Sequence, residues 1–169
     1  MEVSAAIRTL LAVRSYQDKP VPDAVVRRIL EAGRMSGSAS NRQPWQFIVI
    51  QDRDTLGKLA QLAGTGPYIA QAPLAIVVAI DNSIRFAVSD ASRAIQCMLL
   101  AAWGEGVGSN WVGFGGMEGV KDLLGIPAAL DVLAVLPFGY PVAALGRGRK
   151  RRKPLAEIAH RERYGRPFE

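Results

Sequence analysis

The 169-residue sequence is poor in several residue types on which protein chemistry often relies. It has one cysteine, Cys97, which excludes an intramolecular disulfide and any zinc or iron–sulfur site built on cysteines. It has one histidine, His160, too few for a histidine-rich metal centre, with no nucleophile nearby to complete a triad. Long hydrophobic runs are missing too: the longest, Ala72–Ile80, is far short of the ~20 residues a membrane span requires, so no membrane partner is expected. No basic segment followed by an apolar stretch comes after Met1-Glu2-Val3, so a secretory leader is not expected and a cytoplasmic location is. A phosphate loop is absent as well. Gly104-Glu-Gly-Val-Gly108 ends a helical stretch instead of opening one, and Gly113-Phe-Gly-Gly116 has neither the following lysine nor the third spaced glycine.

What the chain does have is apolar bulk. Hydrophobic residues make up 49 % and charged residues 21 %, enough to bury one domain-sized core. The net charge of +6 is concentrated at one end. Residues 1–145 carry 12 Lys/Arg and 12 Asp/Glu, whereas residues 146–169 carry nine basic residues against Glu157, Glu162 and Glu169. Most of the excess sits in Gly-Arg-Gly-Arg-Lys-Arg-Arg-Lys-Pro at 146–154. Such a run has three readings: a solvated tail, a contact with nucleic acid or an anionic surface, or a site for one small polyanion. Residues 146–160 contain no aromatic side chain for base stacking, which weighs against nucleic acid as a partner.

Apolar spacing predicts helices over Val3–Leu11, Asp23–Arg34 and Asp52–Leu62, the last ended by Gly64-Thr-Gly-Pro67. Residues Met35–Arg42 read as a loop. Strands are expected over Phe47–Ile50, Pro73–Ile80 and Val132–Pro137, with a shorter one over Asn110–Phe114 and a short helix over Met117–Leu124. Ser89–Glu105 is the longest helical stretch and is apolar around most of its circumference, so it needs cover from its own core or from another chain. Cys97, in the middle of it, reads as an inert buried thiol. His160 reads as a surface or packing residue on a short helix, and Trp45 and Phe47 as strand residues packed into the core. The fold class is α+β, with a central mixed or antiparallel sheet flanked by helices. Residues 1–145 and the basic segment 146–169 are taken as one domain. With so little material for side-chain acid/base or nucleophilic chemistry, catalysis by this chain would belong to a cofactor.

Four segments occur in a telling order: Ala12-Val-Arg-Ser-Tyr-Gln-Asp-Lys-Pro-Val21, Ser38-Ala-Ser-Asn-Arg-Gln-Pro-Trp-Gln-Phe47, Gly106-Val-Gly-Ser-Asn-Trp-Val-Gly-Phe114 and Arg151-Arg-Lys-Pro-Leu155. Together they resemble the nitroreductase family of flavin enzymes, over essentially Ile7 to Gly165, with Ser-x-x-Asn-x-Gln-Pro-Trp-x-Phe the most specific piece. The resemblance implies an FMN-binding homodimer with flavin sites at the subunit interface and the long apolar helix in the dimer core. It implies hydride transfer from NAD(P)H, through flavin N5, to an electrophilic acceptor such as a nitroaromatic or a quinone, in ping-pong fashion and without a catalytic side chain. By position in the motifs, Lys150 and Arg152 correspond to the phosphate-binding pair and Arg14 to the cation at the pyrimidine edge of the flavin. The backbone N–H groups of Val112 and Gly113 correspond to the segment facing N5 and O4, and glycine at 113 would let the chain approach the ring. Ser38, Ala39 and Asn41 correspond to the loop given by the partner subunit. Arg147, Arg149 and Arg151 are left as solvated.

Four positions depart from the family pattern. Leu10, Leu11 and Ala12 stand where Arg-Arg-Ser is common, removing polar contacts to the cofactor, and Arg8, about one turn earlier, is the candidate to compensate. Gly37 stands where proline is common. These departures keep two alternatives open: a protein of the same fold that binds the deazaflavin F420 or runs a specialised flavin reaction, and a non-catalytic flavin- or nucleic-acid-binding protein that works through its basic tail.

Overall fold

A computed structural model describes residues 1–113, 117–143 and 150–168. Its centre is a four-stranded sheet of β1 (Trp45–Ile50), β2 (Leu74–Ile80), β3 (Gly108–Ser109) and β4 (Asp131–Gly139), in the order β1-β2-β4-β3 with every pairing antiparallel. Among the described residues six α-helices accompany it: α1 (Val3–Thr9), α2 (Asp23–Arg34), α3 (Arg53–Leu62), α4 (Ala87–Gly104), α5 (Glu118–Leu124) and α6 (Leu155–Ile158).

β2 explains the architecture. All seven of its residues are buried, which demands cover on both faces of the sheet. Because side chains alternate, Leu74, Ile76, Val78 and Ile80 enter one core with Val25, Val26 and Ile29 of α2 and Ala91, Ile95 and Met98 of α4. Ala75 and Val77 enter a second core with Leu56 and Leu59 of α3 and Val120 of α5. The sheet therefore lies between two helical layers. Register shifts by one residue between Val78 and Ala79, where β2 pairs with Ala134 and then Val132, leaving Leu133 as the extra residue of a bulge.

Helix α2 lies close against α4 because Gly33 has no side chain; a Cβ there would stand 2.8 Å from Met98 Cγ and Sδ and 3.0 Å from Phe47 Cζ. At the start of α3, Asp52 accepts the backbone N–H of Thr55 at 2.8 Å and its hydroxyl at 2.7 Å. Those bonds hold the Asp52 carboxyl below its ordinary range.

Several expectations need revision. The strand expected over Asn110–Phe114 is confined to Gly108–Ser109, with Val112 joined to Val135 by an isolated bridge; Phe114 lies outside the described residues. The cause is local: Asn110 turns its own side chain back to accept the next backbone N–H, which takes that donor from the strand ladder. Cys97 is exposed, on the side of α4 that points away from the sheet. His160 lies past the end of α6, paired across an isolated bridge with Pro167, its ring 4.6 Å from that of Tyr164. Trp45 is buried in the core and Phe47 packs against it, as expected of strand residues.

Candidate functional site

A cleft of about 800 Å³ opens where the two ends of the chain meet beside α4. Ile7, Arg8, Leu10, Leu11 and Ala12 form one wall, Gln96 and Leu99 of α4 another, Ser109 at the end of β3 with Asn110 and Trp111 after it the floor, and Lys150 and Arg152 the rim. The apolar walls come from the first segment and α4. Among the described residues the charge of the lining is cationic: Arg8, Lys150 and Arg152 line the cleft and no carboxylate does. Such a lining suits an extended ligand with a flat apolar body and an anionic end.

Local folding delivers each part. The chain leaves α1 at Leu10, bridges Ala12 to Ser109, and binds the Val13 N–H to the Ser109 carbonyl at 2.9 Å, so residues 10–12 run along the end of β3. That close crossing depends on Gly108, whose missing Cβ would collide with Val13. The C-terminal segment is tied to the same place, with Lys150 Nζ donating to the carbonyl of Ile7 at 2.7 Å. Ser109 Oγ is buried on the floor with no hydrogen-bond partner among the described residues, a polar atom left for a ligand to satisfy.

Asn110 is the most tightly specified floor residue. Its Oδ1 accepts the Trp111 N–H at 2.8 Å, and its Nδ2 donates to the Tyr68 hydroxyl at 2.9 Å. Arg14 lies outside the cleft lining, with its guanidinium carbon 6.0 Å from the centre of the Tyr68 ring, so it reaches the cleft only through the Tyr68–Asn110 pair. Val112 is buried, and its N–H is donated to the Val135 carbonyl at 3.0 Å. Gly113 lies next in the chain, and a Cβ on it would stand 2.6 Å from the Leu133 carbonyl and 3.0 Å from Trp111 Nε1. Glycine is required there by packing on β4.

Ser38, Ala39 and Asn41 form a separate group at the other end of α4. Ser38 caps and Ala39–Asn41 form a short 3-10 turn, and Ser40 and Asn41 within it and Gln43 just after it all have positive φ, a strained arrangement for residues with side chains. Asp90, fully buried in the first turn of α4, holds this turn by accepting the Ala39 N–H at 3.0 Å, and it is paired with Arg93. Ser38 Oγ accepts the Gln43 N–H at 3.0 Å. None of Ser38, Ala39 and Asn41 lines the cleft of its own chain.

The structure thus brings together Lys150 and Arg152 with Arg8. It leaves Arg14 one aromatic ring away and holds the 38–41 turn apart. Arg147 and Arg149 lie outside the described residues, and Arg151 is exposed. Asp90, Tyr68 and Asn110 were not singled out from the sequence. A lone Asp inside an apolar helix was the one available signal for Asp90; Tyr68 and Asn110 are 42 residues apart, and no spacing rule connects them. Among the described residues no cluster of His, Cys, Asp or Glu could hold a metal ion, and no helix is long and apolar enough to cross a membrane.

Comparison with known proteins finds relatives over most of the chain. The model of the nitroreductase family matches residues 8–67 and 62–140. A protein of Methanothermobacter thermautotrophicus, provisionally named NADH dehydrogenase/NAD(P)H nitroreductase, is 38 % identical over 149 residues, covering 83 % of this chain and 78 % of its own. The FMN reductase [NAD(P)H] of Bacillus subtilis is 27 % identical over 187 residues, covering 96 % of this chain and 74 % of its own. A crystal structure from Bacteroides thetaiotaomicron, of a protein with the same provisional name as the first, superposes with a TM-score of 0.88 at 29 % identity over 96 % of this chain and 98 % of that one.

Proposed function

This chain belongs to the nitroreductase family, and from that premise we propose that it is an FMN-dependent oxidoreductase that uses NAD(P)H. The observation that carries the reading is the cleft itself: among the described residues, three cations and no carboxylate line an apolar slot, with a buried hydroxyl on its floor that has no partner. The chemistry supplied when FMN is bound is acceptance of hydride from NAD(P)H and its donation to an electrophilic acceptor, such as a nitroaromatic or a quinone.

The chain's own residues bind and orient. Lys150 and Arg152 neutralise the phosphate by charge-assisted hydrogen bonds. Leu10, Leu11, Leu99 and Trp111 exclude water from the flat part of the ligand, and Ser109 Oγ gives it a hydrogen-bonding partner. The Gly113 backbone serves the ring end, with Arg14 acting there through the Tyr68–Asn110 pair; the Val112 N–H, already bonded within the chain, contributes by holding Gly113 in place. One cleft serves reductant and acceptor in turn, which makes the kinetics ping-pong.

The working unit is a homodimer. Val3 and Ile7 of α1 and Val88 of α4 are more than half exposed in the single chain, and Leu100 is only half-buried. A second copy covers them and brings its Ser38–Asn41 turn, kept rigid by Asp90, to the flavin. The C-terminal segment completes the site in this reading, and a cytoplasmic location follows from dependence on NAD(P)H. Two features favour it over the alternatives. Arg8 in the cleft supplies a cation that Leu10–Ala12 lack, which removes the reason to invoke a different cofactor. Lys150 and Arg152 line the cleft together with Arg8, which supports a small anionic ligand over an extended strip for nucleic acid.

The purified protein is expected to be yellow, to release FMN on denaturation, and to bleach when NADH or NADPH is added without oxygen. A colourless protein that takes up no added FMN overturns the proposal.

A further inference from the structure

We propose that Arg8 is a third member of the phosphate-binding set, replacing the cationic contact that Leu10 and Leu11 do not provide. The inference rests on the FMN reading above and names a residue that carries part of it.

Arg8 occupies the last turn of α1 and lines the same cleft as Lys150 and Arg152. The other two cations are partly committed to the main chain. Lys150 Nζ donates to the Ile7 carbonyl at 2.7 Å, and Arg152 Nη1 donates to the Arg151 carbonyl at 2.9 Å. Arg8 makes no side-chain hydrogen bond and no salt bridge among the described residues, so all five of its N–H donors are free for a ligand. Its location adds a reason for a third positive charge. The wall of the cleft is the C-terminal end of α1, where unpaired carbonyls face outward and disfavour an anion. A phosphate monoester with close to two negative charges meets those carbonyls unless cations stand between. Lys150 covers one, at Ile7. Arg8, on the adjacent residue, is placed to cover the phosphate itself, and its planar fork can engage two phosphate oxygens at once.

Because the proposed contact is with the phosphate alone, FMN and riboflavin separate it from any general effect on the fold. The cofactor-free protein is titrated with each ligand by flavin fluorescence, as wild type, Arg8→Ala and Arg8→Lys. Arg8→Ala is expected to weaken FMN about tenfold, the scale of one charged hydrogen bond, and to leave riboflavin unchanged. Arg8→Lys recovers most of the loss, and the dependence of FMN binding on salt becomes shallower in Arg8→Ala. Arg8 is exposed, so melting of the cofactor-free variants is expected to match wild type. If Arg8→Ala leaves FMN affinity intact, or weakens FMN and riboflavin equally, the assignment is overturned while the FMN reading stands. If the wild type binds neither ligand, both fall.

Discussion

Along α4, the face that carries Ala91, Ala94, Ile95, Met98 and Ala102 is sealed completely against the sheet and α2, whereas the face that carries Val88, Gln96, Cys97 and Leu100 stays at least partly open in the single chain. Both faces are rich in apolar or small residues, so composition alone does not separate a side chain that builds the fold from one that builds a site. The inner face packs at the density of a protein interior, down to Gly33 making room for Met98. The outer face gives Gln96 and Leu99 to the cleft, and Cys97, Leu100, Ala101 and Gly104 to a second hollow of about 320 Å³ shared with α1. On the proposed reading, stability resides on one side of the helix, and binding and association on the other.

That division can be broken by substitution. The largest effect on folding is expected from Met98→Ala, which removes a fully buried side chain between α2 and the sheet; denaturant unfolding should show a loss of about 2–5 kcal/mol. A loss much below that range would mean that the inner face is not the main source of stability. Arg152→Ala, at the cleft rim, is expected to weaken FMN about tenfold to a hundredfold with no comparable loss of folding stability, read by titration and by thermal melting. Leu100→Arg, on the outer face, is expected to leave the single chain folded but to halve its mass in light scattering, because a charge would be buried in the dimer. An unchanged dimer would place the interface elsewhere.

The smallest effect concerns the strip joining α1 to the sheet. Tyr16 is buried, with its hydroxyl donating to the Val13 carbonyl at 2.7 Å, and burial raises its pKa well above that of a free phenol. The folded state therefore keeps this proton at pH values where the unfolded chain has lost it. Tyr16's contribution is complete below about pH 10, the phenol's unfolded value, and stability declines as pH rises beyond it. Tyr16→Phe is expected to cost about 0.5–1.5 kcal/mol near neutrality and to flatten the alkaline decline, as measured by unfolding across pH. A decline of the same slope in Tyr16→Phe would assign it to other groups.

Much of the scaffold could be read from the sequence because its signals are local. Pro22 and the Val25, Val26, Ile29 spacing set α2, whose expected limits at Asp23 and Arg34 match the structure. The unbroken apolar run before Ile80 declared a strand, and β2 is buried throughout, with cover on both faces. The α4 boundaries moved by two residues at the start and one at the end, from Ser89–Glu105 to Ala87–Gly104, because helix ends carry weak signals. The site was legible only where a motif supplied it. Lys150 and Arg152 reached the cleft, yet nothing in their sequence context says that residues so distant should meet Ile7 and Arg8. The exposure of Cys97 was misread because its neighbours Met98 and Leu99 are apolar, while the side of the helix it occupies faces away from the sheet. Asp90 and the Tyr68–Asn110 pair depend on tertiary contacts alone.

The most direct test of the central claim is a crystal structure of the protein with FMN. The expected result is a phosphate within hydrogen-bonding distance of Lys150 and Arg152, in the cleft beside Leu10–Ala12, with the Ser38–Asn41 turn of a second copy against the ring. FMN bound elsewhere, or a phosphate held by other residues while Lys150 and Arg152 face solvent, would contradict it.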